Sequence, residues 1–481
     1  KGTIFDRNGL PLASSDWAQI ESHQRDYASA GVALSTAAPR NQERFYPLGG
    51  PLFYLLGDTR TRLKQGATNT AFLEKTSRIR LQGYDDVAEV EQVRDPESGQ
   101  ITARLHRDYA ALIPLVRHRY EPENSEVKAI MERPRDVHMS IDARLQMRLS
   151  DILKRDLTAL QQKNEASGKG GLVVMDPDSG DLLAAVSYPW PNDAQLSELE
   201  GSPQAPLPDE DLLDRARFGL YPPGSSFKIV TAIAALRKDP TLATRRFDCV
   251  RLPDGRVGSI VRKHEIRDDI RDTQPHGSVD LRKGIVVSCN AYFAQLGTES
   301  VGADQLFDTA SRLGIAVARP NTARKLAESL PQASYGQGQV VASPFQMARV
   351  AATIANGGNA PEGRWIIDES NGRVRTPEAL LAPDLALQIG GMMRGVVTSG
   401  TGRVLASGAI PIAGKTGTAE LPGKPSHAWF IGFAPYGSAT GKTPGKRIAF
   451  AVLIENGQYG GTTAAPVAGE IVAAARQLGL I

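Results

Sequence analysis

Three short polar motifs in fixed order constrain this chain most: Ser225-Ser226-Phe227-Lys228, then Ser288-Cys289-Asn290, then Lys415-Thr416-Gly417-Thr418. A serine with a lysine three residues on, a second serine motif and a Lys-Thr-Gly together describe a serine acyl-transfer site that uses no histidine. Any one of them arises by chance in a chain of 481 residues; the ordered set is far more restrictive.

Each motif has a legible local setting. Tyr221-Pro222-Pro223-Gly224 stops regular structure just before Ser225, and the apolar run from Ile229 to Leu236 continues as a buried helix. Ser225 is thus expected near a helix N-terminus, where unpaired N–H groups favour negative charge, with Lys228 on the same face. A serine hydroxyl becomes a useful nucleophile only when a base takes its proton. Lysine can be that base only when neutral, which requires burial or a neighbouring positive charge. Taken alone, the tetrad reads more readily as a serine cap followed by an ordinary lysine.

Ser288-Cys289-Asn290 lies between apolar Gly284–Val287 and Ala291–Phe293. Alone it reads as a satisfied turn; in the set, Ser288 becomes a proton relay and Asn290 an amide aimed at substrate. Ile410–Thr418 reads as a strand, at an edge because of Pro411. Period-two alternation places Thr416 and Thr418 on one face, able to grip a carboxylate, and Lys415 and Gly417 on the other. Lys415 then points toward Ser288 and Lys228 and helps keep Lys228 neutral, while Gly417 leaves room for close packing. The backbone N–H groups of Ser225 and Thr418 are placed to form an oxyanion hole, and the strand can pair with an extended peptide.

Gly414-Lys415-Thr416 also resembles the end of a phosphate-binding loop, but Ala409 stands where that loop needs glycine. The second such triplet, Gly441-Lys442-Thr443, has Tyr436 there and Pro444 after it. Nucleotide binding is disfavoured on both counts.

The length suits two or three domains. The apolar fraction of 41% and charged fraction of 23% are those of a globular protein. A net charge of +3 gives no nucleic-acid footprint. Cys249 and Cys289 are the only cysteines; spacing leaves open whether they pair or stay free. No metal is expected, because the histidines lack H-x-x-x-H or H-E-x-x-H pairing. No run of about 18 apolar residues occurs to cross a membrane. The chain starts at Lys1 rather than Met, so a removed leading segment, a membrane anchor or signal, is expected.

Along the chain, Lys1–Ala13 reads as two short strands about the Asn8-Gly9 turn, and residues 15–130 as extended and loop-rich. A boundary is expected at Arg133-Pro134-Arg135-Asp136, dividing residues 1–136 from 137–481. Beyond it come a strand over Val137–Ile141, a helix capped by Asp142 and running through Leu145 to Leu160, and a hairpin from Gly171 to Val186. Further on lie a helix from Phe345 to Ala355, a strand over Ile448–Ile454 and a helix from Ala464 to Leu480. Strands at both ends with helices between give an α/β or α+β domain.

With these residues in view, the chain resembles the class B penicillin-binding proteins, the monofunctional peptidoglycan transpeptidases, over nearly its whole length. The opening motif is matched by Gly2, Ile4, Asp6-Arg7-Asn8-Gly9, Leu12 and Ala13, with Lys1 in place of the family's arginine. Other matches are Ile141-Asp142 with Gln146, Met175-Asp176-Pro177 with Gly180, His276-Gly277, Gly336-Gln337-Gly338 before Ser343-Pro344, Gly400-Thr401-Gly402 and His427–Gly432. Asp214-Arg215 stands where the family has Asn-Arg. A short N-terminal part with Arg44–Gly49 looks most like the small actinobacterial members.

The resemblance implies a β-lactamase-like transpeptidase domain. It has a five-stranded antiparallel sheet flanked by helices plus an all-helical lobe, and an extended N-terminal pedestal precedes it. It implies Ser225 as nucleophile, Lys228 as base, Ser288 as relay, Lys415 as electrostatic tuner, Asn290 as donor orienter, and Thr416, Gly417 and Thr418 as the substrate strand. No cofactor is implied. The implied partners are stem peptides ending in D-Ala-D-Ala, β-lactams, and a membrane glycan polymerase of the shape-elongation-division-sporulation type. The implied location is the outer face of the cell membrane. A β-lactamase or carboxypeptidase shares the motifs, but the pedestal and the lack of an E-x-x-L-N segment argue against it. A β-lactam sensor would share them too, and would stay acylated. An inactive scaffold would have no need of so complete a site.

Overall fold

The computed structural model describes residues 1–34, 43–57, 72–85, 89–94, 101–191, 212–367, 377–437 and 446–481. The Gly441-Lys442-Thr443 triplet lies outside them. The chain forms two compact units, the first over Lys1–Met139 and the second over Ser140–Pro191 and Pro206–Ile481.

In the first unit, strand Ile4–Phe5 pairs antiparallel with Pro11–Ala13 and parallel with Val137–His138. Gly9 supplies the left-handed turn between the first two, with φ 86°. The division expected after residue 136 therefore meets a strand that belongs to this unit's small sheet. The described residues between 15 and 131 are less extended than their polarity suggests: short helices cover Trp17–Ser22, Gln24–Ser29, Phe53–Leu56 and Ser125–Met131. Ile20, Tyr27, Phe53 and Ile130 are among the residues they bury. A buried ion pair, Arg44 Nε to Glu74 Oε1 at 2.7 Å, lies in the same core.

The second unit opens with helix α1 (Ala143–Gln162), whose first N–H groups, of Arg144 and Leu145, are capped by the Asp142 carboxylate. Strands β1 (Gly170–Met175) and β2 (Leu182–Tyr188) form the expected hairpin. Helix α2 (Lys228–Lys238) follows, buried from Lys228 to Leu236. Next come β3 (Phe247–Arg251), β4 (Val257–Val261), β5 (His264–Arg267) and β6 (Gly277–Val279), then helices α3 (Leu281–Val286), α4 (Asn290–Gln295) and α5 (Ala303–Arg312). Helices α6 (Pro344–Ala355) and α7 (Pro383–Thr398) precede β7 (Ala413–Leu421), β8 (Lys424–Ala434), β9 (Ile448–Ile454) and the last helix α8 (Ala464–Gln477).

The main sheet has five strands in the order β7-β8-β9-β1-β2, all antiparallel. One face carries Leu172, Val174, Val186, Phe430, Phe450 and Val452, packed in one cluster with Leu145, Leu149 and Leu153 of α1 and Ala468 and Ile471 of α8. Helix α6 packs on β1, β8 and β9, with α7 beside it. The mixed α/β fold with a five-stranded antiparallel sheet is as expected. The lobe is not all-helical: β3–β6 form a four-stranded antiparallel sheet in the order β5-β4-β3-β6. Its strands are short and their outer faces mix charged, polar and apolar residues, so their period-two signal is weak. Val257, Val261 and Ile266 are among the residues that turn inward.

Candidate active site

Strand β7 is an edge strand, and its register sets the direction of the third motif. Thr416 pairs with Phe430, which faces the α1/α8 core, whereas Lys415 pairs with Ile431 one rung away and so points to the opposite face. There Lys415 is fully buried.

The serine turn is pressed against this strand. Gly224–Phe227 form a single 3₁₀ turn leading into α2. Gly224 has φ 52°, and a side chain there would collide with the Thr418 carbonyl. A Cβ at Gly417 would lie 2.9 Å from the Pro223 carbonyl oxygen and 3.1 Å from the Ser226 nitrogen. The two glycines are what allow the turn and the strand to approach backbone to backbone. Trp429 Nε1 donates to the Pro222 carbonyl at 2.9 Å and fixes the turn from β8.

The second motif occupies the break between α3 and α4. Asp280 caps α3, and the Cys289 sulfur caps α4 by accepting from the Tyr292 N–H at 3.3 Å. Ser288 between them has φ 64°, a sparsely populated conformation for a non-glycine residue. This turns both its carbonyl and its hydroxyl toward Lys228.

Lys228 Nζ lies 2.9 Å from Ser225 Oγ, 2.5 Å from the Ser288 carbonyl, 2.7 Å from Asn290 Oδ1 and 3.2 Å from Ser288 Oγ. The carbonyl and amide oxygens can only accept, so they take the two N–H bonds of a neutral amine. When the amine is neutral its lone pair faces the Ser225 O–H, and when it is protonated its third N–H donates to Ser225 Oγ at 2.9 Å. Burial lowers the Lys228 pKa to about 8, opposed chiefly by the charge of Asp268. Lys415 Nζ donates to Ser288 Oγ and to the Thr416 carbonyl, both at 2.9 Å. Its own pKa is held well below the ordinary lysine value by burial and then by the Lys228 charge. Burial is thus the larger influence on both amines, and the repulsion between them falls on Lys415 more than the expected tuning of Lys228 by Lys415.

The site residues read from the sequence meet at one place. Ser225, Ser288, Asn290, Thr416 and Thr418 line a single cavity of about 700 Å³, with Lys228 and Lys415 buried behind its floor. Thr416 Oγ1 is held 2.5 Å from Thr401 Oγ1. One orientation differs from expectation: the Asn290 amide is engaged within the protein, its Nδ2 donating to the Arg267 carbonyl at 2.9 Å.

Sequence reasoning missed Asp268. Its carboxylate is buried behind the second motif, where it accepts the backbone N–H groups of Asn290 and of Ala291, the latter at 3.3 Å. A lone aspartate after a short strand carries no motif; only its tertiary neighbours mark it. Asp214 and Arg215 are buried structural groups: Asp214 accepts from Ser187 and Arg217, and Arg215 pairs with Glu455 at 2.7 Å. Cys249 and Cys289 are both buried and free. With Asp268 and His276 they bring four possible ligand atoms within 4.8 Å of one another. The expectation of no metal site, drawn from helical histidine spacing, does not cover such a cluster assembled from four separate segments.

Comparison with known proteins agrees with this geometry. Residues 170–473 match the penicillin binding protein transpeptidase domain. The peptidoglycan D,D-transpeptidase PbpA of Mycolicibacterium smegmatis is 31% identical over 366 residues, covering 67% of this chain and 70% of that protein. PbpA of Mycobacterium tuberculosis is 32% identical over 356 residues, 66% of this chain and 69% of its own length. Among solved structures, the penicillin G acyl-enzyme complex of M. tuberculosis penicillin-binding protein A superposes with a TM-score of 0.68 at 25% identity, over 99% of both chains. The matched span contains all three motifs and the sheet that carries them, and the chain belongs to the penicillin-binding protein transpeptidase family.

Proposed function

We propose that this chain is a serine peptidoglycan D,D-transpeptidase of bacterial cell-wall synthesis, trapped by β-lactams as acyl-enzymes. The observation that carries the mechanism is the Lys228 amine, 2.9 Å from Ser225 Oγ with its N–H bonds directed to two acceptors. Lys228 takes the Ser225 proton as Oγ attacks the penultimate D-Ala carbonyl of a stem peptide. Ser288, whose Oγ lies 3.2 Å from the Lys228 amine and 2.9 Å from that of Lys415, passes a proton to the leaving amine, and terminal D-Ala departs. An amine of a second stem peptide then attacks the ester, forming the crosslink and freeing Ser225. Thr416 and Thr418 receive the D-Ala carboxylate, Gly417 keeps β7 close to the serine turn, and Asn290 holds the Lys228 amine through its Oδ1.

A β-lactam offers the same carbonyl in a ring, so its leaving nitrogen stays attached and the adduct carries the whole antibiotic. The reaction takes place outside the cytoplasmic membrane, where peptidoglycan is crosslinked. Membrane anchoring, and work beside a glycan polymerase of the shape-elongation-division-sporulation type, belong to this reading through the family resemblance. The test is intact mass after incubation with benzylpenicillin, with Ser225→Ala as control. A persistent adduct on the wild type alone supports the reading. Rapid turnover without an adduct makes the protein a hydrolase, and no reaction with an intact fold removes the mechanism.

A further inference from the structure

Five carboxylates line the cavity around Ser225, those of Glu265, Asp268, Asp269, Asp272 and Glu420. Four of them already face a partner. Glu265 Oε2 pairs with Arg267 Nη2, and Asp269 Oδ1 with Arg271 Nε, both at 2.9 Å. Asp268 Oδ2 and Asp272 Oδ2 lie 3.3 and 3.8 Å from the two ring nitrogens of His276. Glu420 forms no ion pair among the described residues, and its side chain is exposed.

Glu420 continues the alternation of Thr416 and Thr418 along β7, and all three line the cavity. The ladder to β8 runs regularly from Ala413 to Ala419 and shifts register only beyond it, so Glu420 stands just past the last regular step of this free edge. A peptide added to the edge could pair in either direction, and charge decides between them. Thr401 and Thr416 offer hydroxyls at one end, with the Lys415 amine buried behind them. The Glu420 carboxylate stands at the other end. A C-terminal carboxylate is favoured at Thr416 and Thr418 and repelled by Glu420. The pairing is therefore antiparallel, and the residues before the peptide's C-terminus run past Thr418 toward Glu420.

The amine that an acceptor stem peptide uses in the crosslink has a copy on the donor, because both belong to one polymer. On the donor it is not consumed, and at neutral pH it is an ammonium. A strand rises about 3.4 Å per residue, so with the penultimate D-Ala carbonyl at Ser225 the residue before it comes within a side-chain length of Glu420.

We infer that Glu420 is a specificity residue for the donor, receiving the side-chain ammonium of a diamino residue that immediately precedes D-Ala-D-Ala; this rests on the transpeptidase reading. Tyr335 completes the subsite. It lines the same cavity and packs against Val261, Ile266 and Ala294 of the lobe. Burial, and next the charge of Glu420, push its phenol up to about 12, which marks the two side chains as neighbours. The ring offers apolar surface to the methylene stem of the diamino side chain, and Glu420 offers the counter-charge to its tip. No bond changes in this contact; the chemistry stays with Ser225 and Lys228.

The test measures equilibrium binding to the whole chain carrying Ser225→Ala, so that no turnover intervenes. The probes are acetyl-lysyl-D-Ala-D-Ala with a free side-chain amine and the same peptide with that amine acetylated. At low ionic strength the free-amine peptide should bind about fivefold more tightly, as a well-placed exposed ion pair provides, and added salt should erode the difference. Glu420→Gln should bring the two affinities within about twofold, and Glu420→Lys should reverse their order. Each variant is scored by the ratio of two peptides, so a general loss of affinity or of fold does not imitate the effect. Equal affinities with Glu420 in place, binding of neither peptide, or a preference that survives Glu420→Gln overturns the inference. Benzylpenicillin, which carries no ammonium, separates the two readings. Protein that it acylates at Ser225 but that ignores the peptide amine keeps the transpeptidase reading and loses this one, whereas protein that it does not acylate loses both.

Discussion

Lys415 reaches across the site to Ser288, its Nζ donating to Ser288 Oγ at 2.9 Å although 127 residues of chain separate them. The contact joins the edge strand to the α3–α4 break and leaves one hydroxyl between two buried amines. Lys415→Met keeps the volume but removes the donor. Acylation by benzylpenicillin should fall by about 10²-fold or more, while the melting temperature holds or rises, because a buried amine no longer has to be desolvated. Acylation near the wild-type rate would remove Lys415 from the mechanism.

Lys228→Ala should abolish acylation, a loss of about 10²–10⁴-fold, with an unchanged far-ultraviolet circular dichroism spectrum. A rate near that of the wild type would mean that another group takes the Ser225 proton.

The acylation rate should depend on pH through Lys228. Its pKa is lowered to about 8 by burial. The charges facing it are Asp268, Cys289, Asp272 and Asp269, which raise the value, with Lys415 on the other side of Ser288. Only the neutral amine accepts a proton, so the rate of the wild type should climb as pH rises and reach half its plateau near pH 8. A folded-state pKa below the unfolded one also means that stability contributed by this group increases with pH between about 8 and the ordinary lysine value. A flat acylation profile from pH 6 to 9 would contradict the assignment of the base.

Thr418→Val removes one hydroxyl from the strand face expected to grip the carboxylate. Loss of one hydrogen bond to a charged group is worth about 1.5–3 kcal/mol, so the second-order acylation rate with benzylpenicillin should drop about tenfold or more. An unchanged rate would count against a carboxylate contact at this residue.

Gly417→Ala places a Cβ 2.9 Å from the Pro223 carbonyl oxygen and from Trp429 Cβ. Backbone atoms cannot rotate away, so the substitution should cost about 1–3 kcal/mol of stability and slow acylation by displacing the serine turn. A melting temperature and acylation rate equal to those of the wild type would show that strand and turn separate freely.

Much of this protein is legible along the chain. The Asp142 cap, the β1–β2 hairpin and the bounds of β9 follow from cap chemistry, turn residues and continuous apolar runs, all of which act between near neighbours. The alternation within Lys415–Thr418 likewise forecasts which side chains share a face, since strand period is a backbone property. The four-stranded lobe sheet escapes the same reasoning because its strands are short and much of their surface is polar, so pairing partners rather than propensity define them.

Residue types and spacing by themselves marked the candidate nucleophile, the candidate base and the order of the three motifs, because those features are covalent and local. Only the tertiary structure decided how far the lysine pKa values fall, since burial of Lys228 and Lys415 depends on elements that are far apart in the chain. It also decided that Asp268 stands behind Asn290 and that Cys249, His276 and Cys289 gather around its carboxylate. Electrostatic and ligand geometry act through space over a few ångströms, and no period or spacing in the sequence records which distant residues will share that space.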